Sequence, residues 1–212
     1  MKKIVELRRL CEGALVKWHE QWLDQWYSKP PVEVRSGRSL MALLREQHFC
    51  NYVVWGLEDV ARRRDVPDSH IVTTKRGIDK WNQRRNDMME RLDLHTMAHV
   101  GKMMVQHAPL HSESFGMMLD RLSIISLKLR HMRINASRRD DVKLAEECAR
   151  RCAILEEQRT DLLGCLRDLL DAVAAGRRRV KVYYQLKQYN DRRLNPHLRG
   201  STTCNTPRSA AR

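Results

Sequence analysis

The chain has 212 residues, 42% hydrophobic and 6% aromatic, with 40 Lys and Arg against 26 Asp and Glu for a formal charge of +14. That length fits one domain of about 100–200 residues with an appendage, and the apolar content supports a sizeable core, which excludes wholesale disorder. No stretch approaches the roughly 18 uninterrupted apolar residues of a membrane span. Met1–Gly13 lacks the apolar block of a secretion signal, so a secreted or membrane-spanning protein is excluded and a cytoplasmic one is expected. The six cysteines, at 11, 50, 148, 152, 165 and 204, follow neither a disulfide framework nor a paired zinc pattern, and are read as reduced thiols.

Residues 2–27 place apolar side chains at 4, 7, 11, 14, 15, 18, 22 and 26, the spacing of an amphipathic helix. Trp18, Trp22 and Trp26 fall on its stripe and are expected to face the core. Ser28-Lys-Pro-Pro ends it, because proline removes an amide donor and restricts the residue before it. Ser39 is the expected N-cap of a second helix through Arg64. Asp68 or Ser69 caps a third, reaching Asp93. The Met- and His-rich stretch 94–111 is helical in part and stops at Pro109. Ser112 caps a fourth helix through Asn135, and a fifth runs from 139 to 175 with Gly176 just past its end. The expected class is all-α: an antiparallel bundle over residues 1–198 with a basic C-terminal extension, then a disordered tail from 199 to 212.

Two of these helices carry polar stripes unlike ordinary solvent faces. His48, Asn51, Trp55, Glu58 and Arg62 share an arc of about 80° on the second helix. Lys75, Asp79, Asn82, Asn86, Glu90 and Asp93 do the same, again within about 80°, on the third. On the fourth, Asp120 and His131 lie on one stripe with Ile124 and Leu127. Long polar side chains lapping the edge of a core would account for such arcs. Histidine, asparagine, tryptophan and short acids point instead to a polar pocket between these three helices, where bundles commonly build ligand sites.

Four ordered blocks carry a resemblance. They are H-x-x-N-x-x-x-W-x-x-E-D-x-A-R from His48 to Arg62, K-R-x-I-D-x-x-N-Q-x-R-N-D from Lys75 to Asp87, D-R-L-S-I-I-x-L-K-x-x-H-M from Asp120 to Met132, and Y-x-x-x-K-x-Y-N-D-x-x-L-N-P from Tyr183 to Pro196. Together they resemble the bacterial family catalogued as domain of unknown function 4254, over residues 40–198. The resemblance implies that His48, Asn51, Trp55, Glu58, Asp59, Arg62, Lys75, Asp79, Asn82, Gln83, Arg85, Asn86, Asp87, Asp120 and His131 belong to its motif. It brings no established activity, only an association with glycosyltransferase genes of surface-polysaccharide assembly. The family commonly opens its fourth-helix block with Ser-Glu-Thr-Pro-Gly, whereas this chain has Ser112-Glu-Ser-Phe-Gly116.

The expected ligand is a small phosphorylated, sugar-like or nucleotide-like molecule. Arg62, Lys75 and Arg85 would hold its anionic group, and Asn51, Asn82 and Asn86 would offer donors and acceptors. Trp55 would stack on a ring, with Asp59, Asp79, Asp120 and His131 completing the lining. His48 and Glu58 are the acid/base candidates if a reaction is catalysed. No metal site and no cofactor is read. Glu90 and Asp93 resemble the second half of the metal-binding pattern of all-α nucleotide hydrolases, which keeps that enzyme class as an alternative. Cys50 projects away from the asparagine arc among apolar residues and reads as a core thiol.

Residues 176–212 hold ten Lys and Arg and one acid, Asp191, for a net +9, which leaves +5 for the rest of the chain. Arg177, Arg178, Arg179, Lys181 and Lys187 form the expected basic surface, interleaved with Tyr183, Tyr184 and Tyr189. Basic residues beside stackable aromatics suit nucleic acid, a second alternative, or an anionic membrane surface. Docking on the bundle is the structural counterpart. The sequence leaves homo-oligomerisation open.

Overall fold

The structure, a computed structural model, describes residues 2–34, 37–188 and 191–199. Its elements are α1 (Lys2–Arg9), α2 (Leu15–Ser28), α3 (Leu40–Ala61), α4 (Asp68–Val100), α5 (Phe115–Ala136) and α6 (Val142–Ala174), with short 3-10 turns after α4 and at Pro196–Leu198. The fold is all-α. The closest pairings are α3 with α4 and α5 with α6, each joined by a short turn, so each pair runs antiparallel. α5 also packs on α2, α3 and α4 and so occupies the centre. A main core of leucines and methionines, including Leu44, Met88, Leu92, Leu119, Leu122 and Leu170, fills the space between them. A second cluster gathers Leu23, Trp26, Val34, Phe49 and Leu127 at the α2 side.

The predicted first helix is two helices. Its axis breaks at Glu12–Gly13, where Gly13 adopts φ 97, a left-handed conformation that glycine enters without a Cβ clash. The stripe survives the break, since Leu10, Leu15, Leu23 and Trp26 are all buried. α4 continues past the expected end at Asp93 to Val100, because Thr96 and Val100 extend its buried face by two turns. α5 is capped by Ser114, whose hydroxyl accepts the Met117 amide, and not by Ser112. Phe115 therefore stands at the first helical position, where proline is well tolerated, and it packs into the core. The departure from the family's Ser-Glu-Thr-Pro-Gly block leaves a capped helix start intact.

α6 ends as expected. Gly176 sits at φ 71, its amide donates to the Val173 carbonyl at 3.0 Å, and the Arg177 amide donates to Ala172 at 2.8 Å. The chain beyond docks on the bundle. Arg179 bridges to Leu110, donating its amide to Pro109 and receiving the His111 amide, and its Nε donates to the Ala108 carbonyl at 2.9 Å. Val180 is buried against Met104. Arg179 is thus a structural clasp, which removes it from the expected basic surface; Arg177, Arg178 and Lys181 remain exposed. Tyr189 and the expected tail after Arg199 lie outside the described residues.

Cys11, Cys50, Cys148, Cys152 and Cys165 are unbonded, while Cys204 lies outside the described residues. Burial pushes the Cys50 thiol up to about 12, in keeping with a core role.

One close approach fixes how α4 crosses α5. A Cβ on Gly116 would come within 2.3 Å of the Met89 carbonyl oxygen, so only glycine fits. The Gly116 amide donates to the buried Asp93 carboxylate at 2.6 Å across the same contact. Gly116→Ala is expected to destabilise the protein by about 1–3 kcal/mol, read as a lowered urea midpoint at unchanged slope.

Candidate functional site

Asn51, Trp55 and Glu58 on α3, with Arg62 at its C-cap, recur at helical spacing and face α4 and α5. With Val54, Asp59, Arg85 of α4, and Ile124 and Leu127 of α5, they line a cleft of about 320 Å³. The predicted helices thus converge on a polar cleft with apolar walls.

Behind it lies Asp120, 3% exposed. One of its carboxylate oxygens accepts from Gln47 Nε2 at 2.6 Å, Asn51 Nδ2 at 3.0 Å and Arg85 Nε at 2.8 Å. The other accepts from Arg85 Nη2, so the guanidinium grips the carboxylate through two parallel bonds. These bonds raise the Arg85 pKa further and hold the group charged. Asn51 Nδ2 also donates to Ser123 Oγ at 2.9 Å, and Ser123 is hydrogen-bonded to His48 Nδ1 at 2.7 Å. Asn51 and Arg85 therefore reach the cleft with their geometry already set from behind.

His48 does not reach it. The residue is fully buried, its ring stacks on His19 at 4.1 Å, and Trp26 lies 5.4 Å away. Burial takes the His48 pKa down to about 3 and lowers His19 well below its usual value. Ser126 donates its hydroxyl to the Leu122 carbonyl, so His19 Nδ1 is the donor in its bond to Ser126 Oγ. Both imidazoles are neutral core groups. The expectation of His48 as an acid/base residue is corrected accordingly, leaving Glu58, which lines the cleft and pairs with Arg62 at 2.7 Å.

His131 acts at one remove. Its ring stacks on Trp55 at 4.6 Å and 14°, and its Nε2 is hydrogen-bonded to Tyr27 Oη at 2.7 Å. Burial lowers its pKa, opposed by the charge of Asp59. This contact fixes the Trp55 plane from the side of α5.

The α4 stripe divides. Lys75 and Asp79 form an exposed ion pair at 2.5 Å and do not line the cleft. Asn82 accepts a long bond from Arg85 Nη1 at 3.4 Å, and Asn86 is buried; neither lines the cleft. Of Arg62, Lys75 and Arg85, expected together, only the two arginines line the cleft, because the arc on α4 is too long for one cleft. Glu90 and Asp93 are engaged elsewhere, Glu90 with the Gln185 amide at 2.8 Å and Asp93 with the start of α5. Among the described residues no three His, Cys, Asp or Glu side chains come together as metal ligands would.

Gln47 and Ser123 escape the sequence reading. Gln47 lies one turn before Asn51 and Ser123 three residues after Asp120, so extending each stripe by a turn finds both. Asp120→Asn would leave Arg85 without its counter-charge in a mostly buried site, and is expected to cost about 3–5 kcal/mol in urea unfolding. Stability should also depend on pH. With folded-state pKa values below that of an unfolded histidine, His19 and His48 make the unfolded chain bind more protons as pH falls below about 6.5. Stability is then full above that pH and lost as pH falls toward the lowered folded-state values, at up to about 1.4 kcal/mol per pH unit per histidine. His48→Gln is expected to flatten that slope in urea midpoints between pH 5 and about 7.

A family described as "protein of unknown function (DUF4254)" matches residues 41–182. The matched span holds the whole cleft and its Asp120 support, and ends before the Tyr183–Pro196 block. No curated protein and no solved structure matches the chain. With two thirds of its length covered by that one match, the chain belongs to the DUF4254 family.

Proposed function

We propose that the α3–α4–α5 cleft binds a single sugar-like or nucleotide-like ring bearing an anionic group such as a phosphate. The observation that carries this reading is the meeting of Trp55, Asn51, Arg62 and Arg85 in one cleft of about 320 Å³. That volume lies at the small end of the roughly 300–1,000 Å³ of ligand pockets, which suits one ring better than a chain. Trp55 supplies a stacking surface held by His131. Asn51 and Arg85 supply polar groups fixed by Asp120.

The two arginines differ in kind. Arg62 is paired with Glu58 but its side chain is 71% exposed, and such a pair is worth under about 1 kcal/mol, so a ligand anion can displace the carboxylate. Arg85 stays with Asp120. Glu58 released from Arg62, together with Asp59, would then accept hydroxyl hydrogens, as a sugar requires. The association of the family with surface-polysaccharide genes favours the sugar member of this class, and an accessory role in such assembly is part of the same proposal.

The test is a thermal-shift panel of sugar phosphates, nucleotide sugars and nucleotides. At a hundredfold excess over the dissociation constant a true ligand stabilises by about 3 kcal/mol, a rise of about 5–10 °C for a chain of this size. Arg62→Ala should leave the unliganded melting temperature within about 2 °C and remove most of the shift. Trp55→Ala should remove it as well. A panel without any shift, or a shift that persists in both variants, would overturn the reading.

A further inference from the structure

The floor of the cleft carries hydrogen-bonding groups whose direction is already decided. Asn51 is 4% exposed, and both hydrogens of its Nδ2 are committed, one to an Asp120 carboxylate oxygen at 3.0 Å and one to Ser123 Oγ at 2.9 Å. The amide cannot turn over, because its oxygen would then face a carboxylate oxygen that only accepts. Asn51 Oδ1 is left without a donor from the protein. It is not sealed from solvent, and the space it opens to is the cleft that Asn51 lines.

Arg85 meets the same carboxylate oxygen at 2.8 Å through Nε, and its Nη2 holds the other. Its Nη1 makes only the 3.4 Å contact with Asn82, so at least one Nη1 hydrogen has no protein acceptor beside the cleft that Arg85 lines. The floor thus presents one bare acceptor and one donor, above an ion pair whose charges cancel.

This combination selects what can lie there. A phosphate oxygen set against Asn51 Oδ1 would bring two acceptors face to face, and Asp120 already balances the charge of Arg85. A hydroxyl suits both groups, donating to Asn51 Oδ1 and accepting from Arg85 Nη1. The cation open to a ligand anion is Arg62. Its Nη1 bonds the Glu58 carbonyl at 2.6 Å and the Glu58 carboxylate at 2.7 Å, so the guanidinium is drawn back to the level of Glu58. Glu58 lies two helical turns beyond Asn51, about 10 Å along the axis, with Trp55 between them. A hydroxyl and a phosphate on opposite sides of one ring span such a separation.

On the cleft reading given above, we propose that Asn51 is the specificity-determining residue: its Oδ1 takes the hydrogen of a sugar-ring hydroxyl at the floor, while the sugar's phosphate lies at Arg62 on the rim. The ligand class narrows to a monosaccharide phosphate with its hydroxyl edge inward.

The experiment titrates the full chain by calorimetry with glucose, galactose and mannose 1-phosphates, then with the deoxyfluoro analogues of whichever binds tightest. Fluorine is close to a hydroxyl in size but carries no hydrogen to donate. Fluorination at one ring position is expected to weaken binding about 10–100-fold, because Asn51 Oδ1 is then covered and unpaired. Asn51→Ala leaves Asp120 its bonds to Gln47 and Arg85. That variant should bind the parent sugar phosphate more weakly and no longer distinguish the analogue. Arg62→Ala should also weaken the parent, yet still distinguish it. If Asn51→Ala fails to fold by circular dichroism, the fluorine scan on the unaltered chain decides alone. Sugar phosphates that bind with a flat fluorine scan overturn this assignment and leave the cleft reading standing. So does binding of uridine monophosphate without binding of any sugar phosphate. Silence of all these probes overturns the assignment, and the cleft reading falls with it only when nucleotide sugars are silent too.

Discussion

A carboxylate removed from water is stable only where donors fill its lone pairs, and Asp120 meets that demand with side chains from two other helices. Gln47 and Asn51 reach it from α3, and Arg85 grips it from α4. The three helices that wall the cleft are thereby tied together at its base. Hydrophobic residues of equal volume could pack there as stably, but they would leave Asn51 and Arg85 without fixed directions. The same bonds that satisfy the buried charge place the polar groups of the cleft. A second buried carboxylate, Glu46, also pairs across the α3–α4 interface, with one oxygen 2.9 Å from Arg84.

Around this base the structure separates rigid from exchangeable groups. Trp55 is braced by His131, which is in turn tied to Tyr27 of α2, so a side chain far outside the cleft fixes the stacking plane. The stacked His19 and His48 fill the space behind, neutral because burial denies them a proton. Arg62 and Glu58, by contrast, hold each other across one turn at the exposed end of α3. A ligand can separate that pair at small cost, whereas separating Arg85 from Asp120 would strand two charges. The cleft thus has a fixed floor and a yielding rim.

The basic end of the chain divides along the same physical line. Arg179 has its polar groups committed to the 108–111 loop and serves the fold. Its neighbours Arg177, Arg178 and Lys181 stay in solvent beside exposed tyrosine and leucine side chains. The charge of +9 in residues 176–212 is therefore concentrated after α6, while the helical body stays close to balanced.

Sequence periodicity determined the all-α class, the approximate positions of the long helices and the polar stripe on three of them, because a 3.6-residue repeat is a local property that every turn reports. It also marked Ser39, Gly176 and the proline break after Ser28, whose effects act within a few residues. Only the tertiary structure decided which part of each stripe reaches the cleft. A stripe that runs from Lys75 to Asp93 covers several environments, and which neighbour each turn meets depends on how α4 crosses α3 and α5. Hence Lys75 and Asp79 stand in solvent, Arg85 in the cleft and Asp93 in the core. The same holds for His48: its place on the stripe was visible, but its neutrality comes from the aromatic rings of α2, distant in sequence, that enclose it.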